Sequence, residues 1–223
     1  MSDVFSKVIA LSDAIVSKLS HIAVESSGMN DEKYPWVDRL YSSHNFRRAH
    51  LNIVDARETL KIWMMHFTIF PHTNDPSPIF GLDIVAGANR ISGAFHDFSK
   101  AGDSEHFMMK EFANRTQNLA WKKERELPDW AKQIFSPSMV AVGAMDNEDE
   151  IDQLISLSLD NLDYYLRCIG ETQESLMDYH MAQNRYCYYQ KQNPHNGSIM
   201  QKLGLSPDES RKFVEEVMFP EIH

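Results

Sequence analysis

Apolar and polar side chains alternate most regularly between His50 and Ser99, and this stretch predicts four strands. Residues 49–54, 61–71, 78–87 and 90–99 are rich in β-branched and aromatic side chains, and short connections separate them. Gly87, Ala88, Asn89 and Arg90 form a turn signal, and residues 72–78 read as a loop. Successive side chains on a strand point to opposite faces. Leu51, Ile53, Trp63, Met65, Phe67, Ile69, Phe80, Leu82 and Ile84 then make one thoroughly apolar face. The other face carries His50, Asn52, Met64, His66, Thr68, Gly81 and Asp83, with Ser92, Ala94 and His96 assigned to it from the last strand.

Helical spacing predicts a first helix over residues 1–27, with Val4, Ile9, Ala10, Leu11, Ile15 and Leu19 near one side. Residues 103–125 are polar and helix-compatible, and Pro128 marks a new helix start. Residues 138–144 read as one more strand. The acidic run from Asp146 to Glu150 suits a helix N-terminus, where the helix dipole favours negative charge. Residues 148–190 read as two helices broken near Gly170, and residues 193–198 as a loop. The last helix begins at Ser206, with Pro207 in the first position and Glu209 closing a capping box. The order is helix, strands, helices. That order implies an α+β fold with one mostly antiparallel sheet covered by helices, because the strand connections are short.

Composition narrows the classes. With 223 residues, 43% hydrophobic and 24% charged, the chain is long enough for one domain with a full core or two small ones. No apolar run reaches transmembrane length, and the N-terminus lacks a basic head followed by an apolar block. Cys168 and Cys187 are the only cysteines, which suits a reducing, cytoplasmic compartment. A net charge of -10 disfavours nucleic acid and anionic membranes as general partners. Lys122, Lys123 and Arg125 offer a local basic patch for an acidic protein. Glu124 and Glu126 interrupt it, as in a solvated helix end.

His66 and Asp83 are the chemically notable pair, because each lies inside a strongly apolar strand. A buried carboxylate is costly unless it is paired or protonated. Two readings follow. In one, Gly81 leaves a low wall beside a slot for a large flat molecule, and the pair supplies protons. In the other, the pair is a structural hydrogen bond in the core or part of a solvent-facing polar face. Nucleotide, iron–sulfur and zinc motifs are absent, as is a nucleophile elbow, so no metal is expected. Twelve Met and twelve Phe suit an adaptable apolar pocket or a core. Tyr186, Tyr188 and Tyr189 suit a site wall or a helix packed on the sheet.

The chain resembles the ferredoxin-dependent bilin reductases. The segments that carry the resemblance are residues 46–54 (FRRAHLNIV), 64–71 (MMHFTIFP), 78–87 (PIFGLDIVAG), 91–99 and 125–136, followed by 186–193, 203–204 and 214–221. It extends over about residues 40 to 220. It implies a single domain over 1–223, a monomeric α/β/α sandwich, with the linear tetrapyrrole biliverdin IXα between sheet and C-terminal helices. It implies no tightly bound cofactor. Electrons would come singly from a reduced, acidic two-iron two-sulfur ferredoxin, through radical intermediates, and the protein would place and protonate the substrate. By the match, Asp83 protonates the bilin, His66 holds the lactam end, and His50 belongs to a proton relay. Gly81, Ala94 and Met64 would line the substrate. Phycocyanobilin-forming members usually have glutamate where this chain has Asn52, and the family often has aspartate where it has Asn193. An amide is no substitute for a carboxylic acid. The expected product is therefore phycoerythrobilin through 15,16-dihydrobiliverdin, with phycocyanobilin or a dihydrobiliverdin as alternatives. A non-catalytic bilin- or haem-binding protein is the alternative from another class.

Overall fold

The computed structural model describes residues 3–28, 30, 34–101, 106–171 and 177–223. Its centre is an antiparallel sheet of strands β1 (Val24–Ser27), β2 (Trp36–Ser42), β3 (Arg48–Ala56), β4 (Ile62–Phe70), β5 (Ile79–Gly87), β6 (Arg90–Ser99) and β7 (Val140–Met145). The strands lie side by side in chain order. Helices α1 (Val4–Ser20), α2 (Phe107–Thr116) and α3 (Glu148–Cys168) cover the apolar face. Helices α4 (His180–Gln190), α5 (Pro194–Lys202) and α6 (Pro207–Lys212) cover the other. The three-layer sandwich expected from the resemblance is thus present.

Local chemistry explains the helix ends. The Asp3 side chain caps α1, which buries Val4, Val8, Leu11, Ile15 and Leu19 at helical spacing. Asn147 caps α3, and Glu148, Asp149 and Glu150 fill its first turn. The capping box at Ser206 and Glu209 forms as the spacing predicts. The backbone then widens into a π-helical turn over Phe213–Met218, and the Phe219 amide donates to the Val214 carbonyl.

Four sequence expectations need correction. The first helix ends at Ser20, and β1 and β2 follow it. They escaped detection because β1 is short and β2 (WVDRLYS) mixes polar and apolar residues on both of its faces. Residues 193–198 are not a loop, because Asn193 is an N-cap and Pro194 opens α5. The helix expected over 103–125 is confined to α2, and residues 103–105 lie outside the described residues. Residues 123–125 run along the edge of β7, where the Arg125 amide donates to Ala141 and the Gly143 amide to Lys123. That edge is therefore covered.

Candidate active site

The sheet register aligns one row of side chains across five strands. Asp38 pairs with Asn52, Asn52 with His66, His66 with Asp83, and Asp83 with Phe95. Directly opposed residues of an antiparallel pair point to the same face. The row therefore forms a polar line beneath the C-terminal helices. The neighbouring row joins His50, Thr68, Gly81 and Asp97.

His66 Nδ1 lies 2.5 Å from Asp83 Oδ1. The His66 side chain is 11% exposed and that of Asp83 is 38% exposed. The pair thus has a largely covered member and a member more open to a bound molecule. Above it lies a cleft of about 590 Å³, a volume suited to a sizeable organic ligand. Met64, His66, Asp83 and Phe95 lie on the sheet side, and Asn193, Ile199, Met218 and Phe219 on the helical side. The Phe219 ring meets the His66 ring edge-on at 5.2 Å. The π turn before Phe219 sets that position. Arg48 bonds the Val217 carbonyl, and Asn184 exchanges two hydrogen bonds with Ile222, so the sheet and α4 both fix this segment.

His50 is fully buried and its Nε2 lies 2.5 Å from Asp38 Oδ1. Asn52 Nδ2 donates to the same oxygen at 3.2 Å. Asp38 is invisible to a reading that misses β2. The usable signal was the aromatic and β-branched content of residues 36–41. Burial lowers the His50 pKa, and the Asp38 contact opposes that shift.

The structure redistributes the other expected site residues. Met64 and Asn52 line the cleft. Asn193 also lines it, although its side-chain oxygen caps α5 by accepting from the His195 amide at 3.0 Å. Gly81 is not a cleft wall. The Tyr186 hydroxyl lies 3.5 Å from where a Cβ would stand, so α4 packs directly on this glycine. Tyr186 is buried, and Tyr188 is exposed. Ala94 and His96 lie on the opposite face. A β-bulge at Val85/Ala86 makes Ile91 pair with Ala86 but Gly93 with Val85, leaving Ser92 as the extra residue. A one-residue shift reverses every later side chain. Phe95 therefore takes the place beside Asp83, while Ala94 packs in the core beneath α1–α3. His96 is structural. Its Nδ1 lies 2.8 Å from the Gly81 carbonyl and its Nε2 3.0 Å from Asn161 Nδ2. Burial pushes its pKa to about 4, so it stays neutral with Nδ1 donating.

The basic patch does not hold together. Lys122 Nζ pairs with Asp146 at 3.0 Å. Arg125 turns into the cleft wall, where its guanidinium donates to the Ser92 carbonyl at 2.7 Å and lies over Phe95.

Residues 7–220 match the family model described as ferredoxin-dependent bilin reductase. The chain belongs to that family. It is a ferredoxin-dependent bilin oxidoreductase. Two Prochlorococcus marinus proteins named phycocyanobilin:ferredoxin oxidoreductase, from strains MIT 9313 and MIT 9303, are each 28% identical to it. Both alignments cover 92% of this chain and 81% of the relative. The solved structure of PcyX superposes with a TM-score of 0.69 at 28% identity, covering 97% of this chain and 99% of PcyX. Tomato phytochromobilin synthase in complex with biliverdin superposes with a TM-score of 0.72 at 16% identity, covering 96% of this chain and 82% of that one. That second likeness concerns the fold. Among the described residues no helix is long and apolar enough to cross a membrane, and no cluster of three potential metal ligands occurs.

Proposed function

We propose that this bilin reductase reduces biliverdin IXα by four electrons to phycoerythrobilin, through 15,16-dihydrobiliverdin. The observation that carries the reading is the His66–Asp83 pair, which opens onto the cleft between sheet and C-terminal helices. An electron added to a conjugated tetrapyrrole makes its nitrogens and carbons basic. A carboxyl within hydrogen-bond reach then supplies the proton. Asp83 has this role, and His66 orients Asp83 and returns the proton to it. Reduced ferredoxin supplies the electrons. Radical intermediates follow, because each ferredoxin cluster carries one electron.

Asn52 decides the product. It stands beside His66 in the row and lines the cleft, but its carboxamide has no acidic proton to give. The D-ring vinyl group is then not reduced, and electrons go to the bridge between rings C and D and afterwards to the A-ring. At the A-ring the proton has to come from a group other than the Asn193 amide. Anaerobic turnover of biliverdin with reduced ferredoxin tests the reading, with chromatography of the product. Phycoerythrobilin is the expected product. A D-ring ethyl group would overturn the Asn52 argument, and its finding would align this chain with the names of its curated relatives.

Arg125 is a cation suited to the propionates, since guanidinium matches carboxylate geometry. Gly143 makes room for it: a Cβ there would lie 2.3 Å from Arg125 Nε. Gly143→Ala is expected to displace the guanidinium and weaken biliverdin binding by about 5- to 10-fold, as for one charge-assisted hydrogen bond. Absorbance titration measures it, and unchanged affinity would assign the propionates elsewhere.

A further inference from the structure

We propose that Asp38 is a positioning residue that, together with His50, forms a second acid–base pair which reloads His66 with protons during turnover. The inference rests on the biliverdin-reductase reading and extends it to a residue two strands away from His66. Both side chains of the pair are fully buried, and Nε2 meets Oδ1 at 2.5 Å. Asn52 donates to the same carboxylate oxygen and stands between Asp38 and His66 in the cross-strand row. The His50 and His66 rings approach edge-on with centroids 5.7 Å apart. Among the described residues, His50 Nδ1 and His66 Nε2 have no hydrogen-bond partner. Each ring therefore keeps one nitrogen for proton exchange after its carboxylate has engaged the other.

A packing role alone does not account for this arrangement, because an apolar pair of similar volume is commonly at least as stable as a buried ion pair. With one shared proton the pair is neutral, either as imidazolium and carboxylate or as imidazole and carboxylic acid. Passing that proton to His66 leaves the pair with a charge of minus one. Burial opposes that charge, so the pair recovers a proton from solvent before the next electron arrives. The bilin gains one electron from ferredoxin and one proton from Asp83 in each step, and His66 and then His50 restore it. The charged or titratable groups acting on His50 are Asp38 from β2, His66 from β4 and Arg48 from its own strand. Asp38 raises its proton affinity, whereas His66, Arg48 and burial lower it.

Asp38→Asn keeps the shape and removes that support. Biliverdin affinity is expected to stay within about twofold, turnover at pH 8 to fall about 10-fold, and the alkaline limb of the pH–rate profile to move about one unit lower. Adding Asn52→Glu to Asp38→Asn returns a carboxyl to the pair and is expected to move the limb back. An unshifted limb in Asp38→Asn would overturn the proposal. If that variant does not fold, nitrogen-15 histidine spectra of the wild-type protein decide: a His50 titration coupled to the Asp38 carboxyl supports the pair, and independent titration overturns it. Those spectra need no turnover. A protein that fails to bind or reduce biliverdin would instead refute the functional reading.

Discussion

Asparagine at position 83 is expected to lower turnover by about 100-fold or more while bilin affinity changes less than about twofold. Asp83 is the carboxyl in the central row that is open to the cleft, with a side chain 38% exposed. The amide keeps the volume and can still accept from His66 Nδ1, so the 2.5 Å contact and the cleft survive. Only the acidic proton is lost. The first electron would then arrive on a bilin without its proton donor. A long-lived radical should accumulate, visible by electron paramagnetic resonance after one reducing equivalent. Product formation by the Asn variant at the wild-type rate would remove Asp83 from the mechanism. Loss of binding together with turnover would make the residue a binding group instead.

Asp97→Asn is expected to raise stability at pH 8 by on the order of 2 kcal/mol. Asp97 lies next to Gly81 in the second row, is 1% exposed, and accepts from the Ser136 amide, the Ser136 hydroxyl and the Ser99 hydroxyl. Burial raises its pKa to about 6 against those hydrogen bonds. The folded state therefore holds this proton more tightly than the unfolded chain does. The stability it contributes is complete below the unfolded carboxyl value of 3.8 and is lost as the pH rises through about 6. Asparagine is neutral throughout, with its oxygen toward the Ser136 amide and its nitrogen toward the Ser136 hydroxyl. The wild-type decline between pH 4 and 6 should vanish in the variant. Urea unfolding at pH 4, 6 and 8 measures this. Equal pH dependence in both proteins would show that water reaches Asp97. The same contact fastens residue 136 to the sheet, near the cleft wall that includes Trp130 and Phe135.

Periodicity alone determined much of this protein. The assignment of side chains to faces on β3, β4 and β5 holds, because a buried face fixes strand parity. His66 and Asp83 were legible for that reason: charge-bearing residues in apolar strands stand out against their neighbours. The starts of α3 and α6 were legible too, one from its acidic run and the other from its capping box, since both are local interactions. The resemblance then supplied the chemistry that the pattern left open, and the family match covers the residues that carry it. Ala94 was assigned to the wrong face, because a bulge is set by the pairing of two strands and leaves no signature in the alternation of one. Gly81 was given to the ligand, but α4 packs on it, and helix-on-sheet placement is a long-range outcome. Asp38 and Phe219 reach the site from positions 28 residues before and 153 residues after His66, one through strand order and the other through a π turn near the C-terminus. Arg125 read as surface charge until backbone pairing with β7 carried it to the cleft. Sequence specified which groups can carry protons, through local burial and chemical type. Only tertiary structure decided which of them meet, because that depends on register and packing between distant segments.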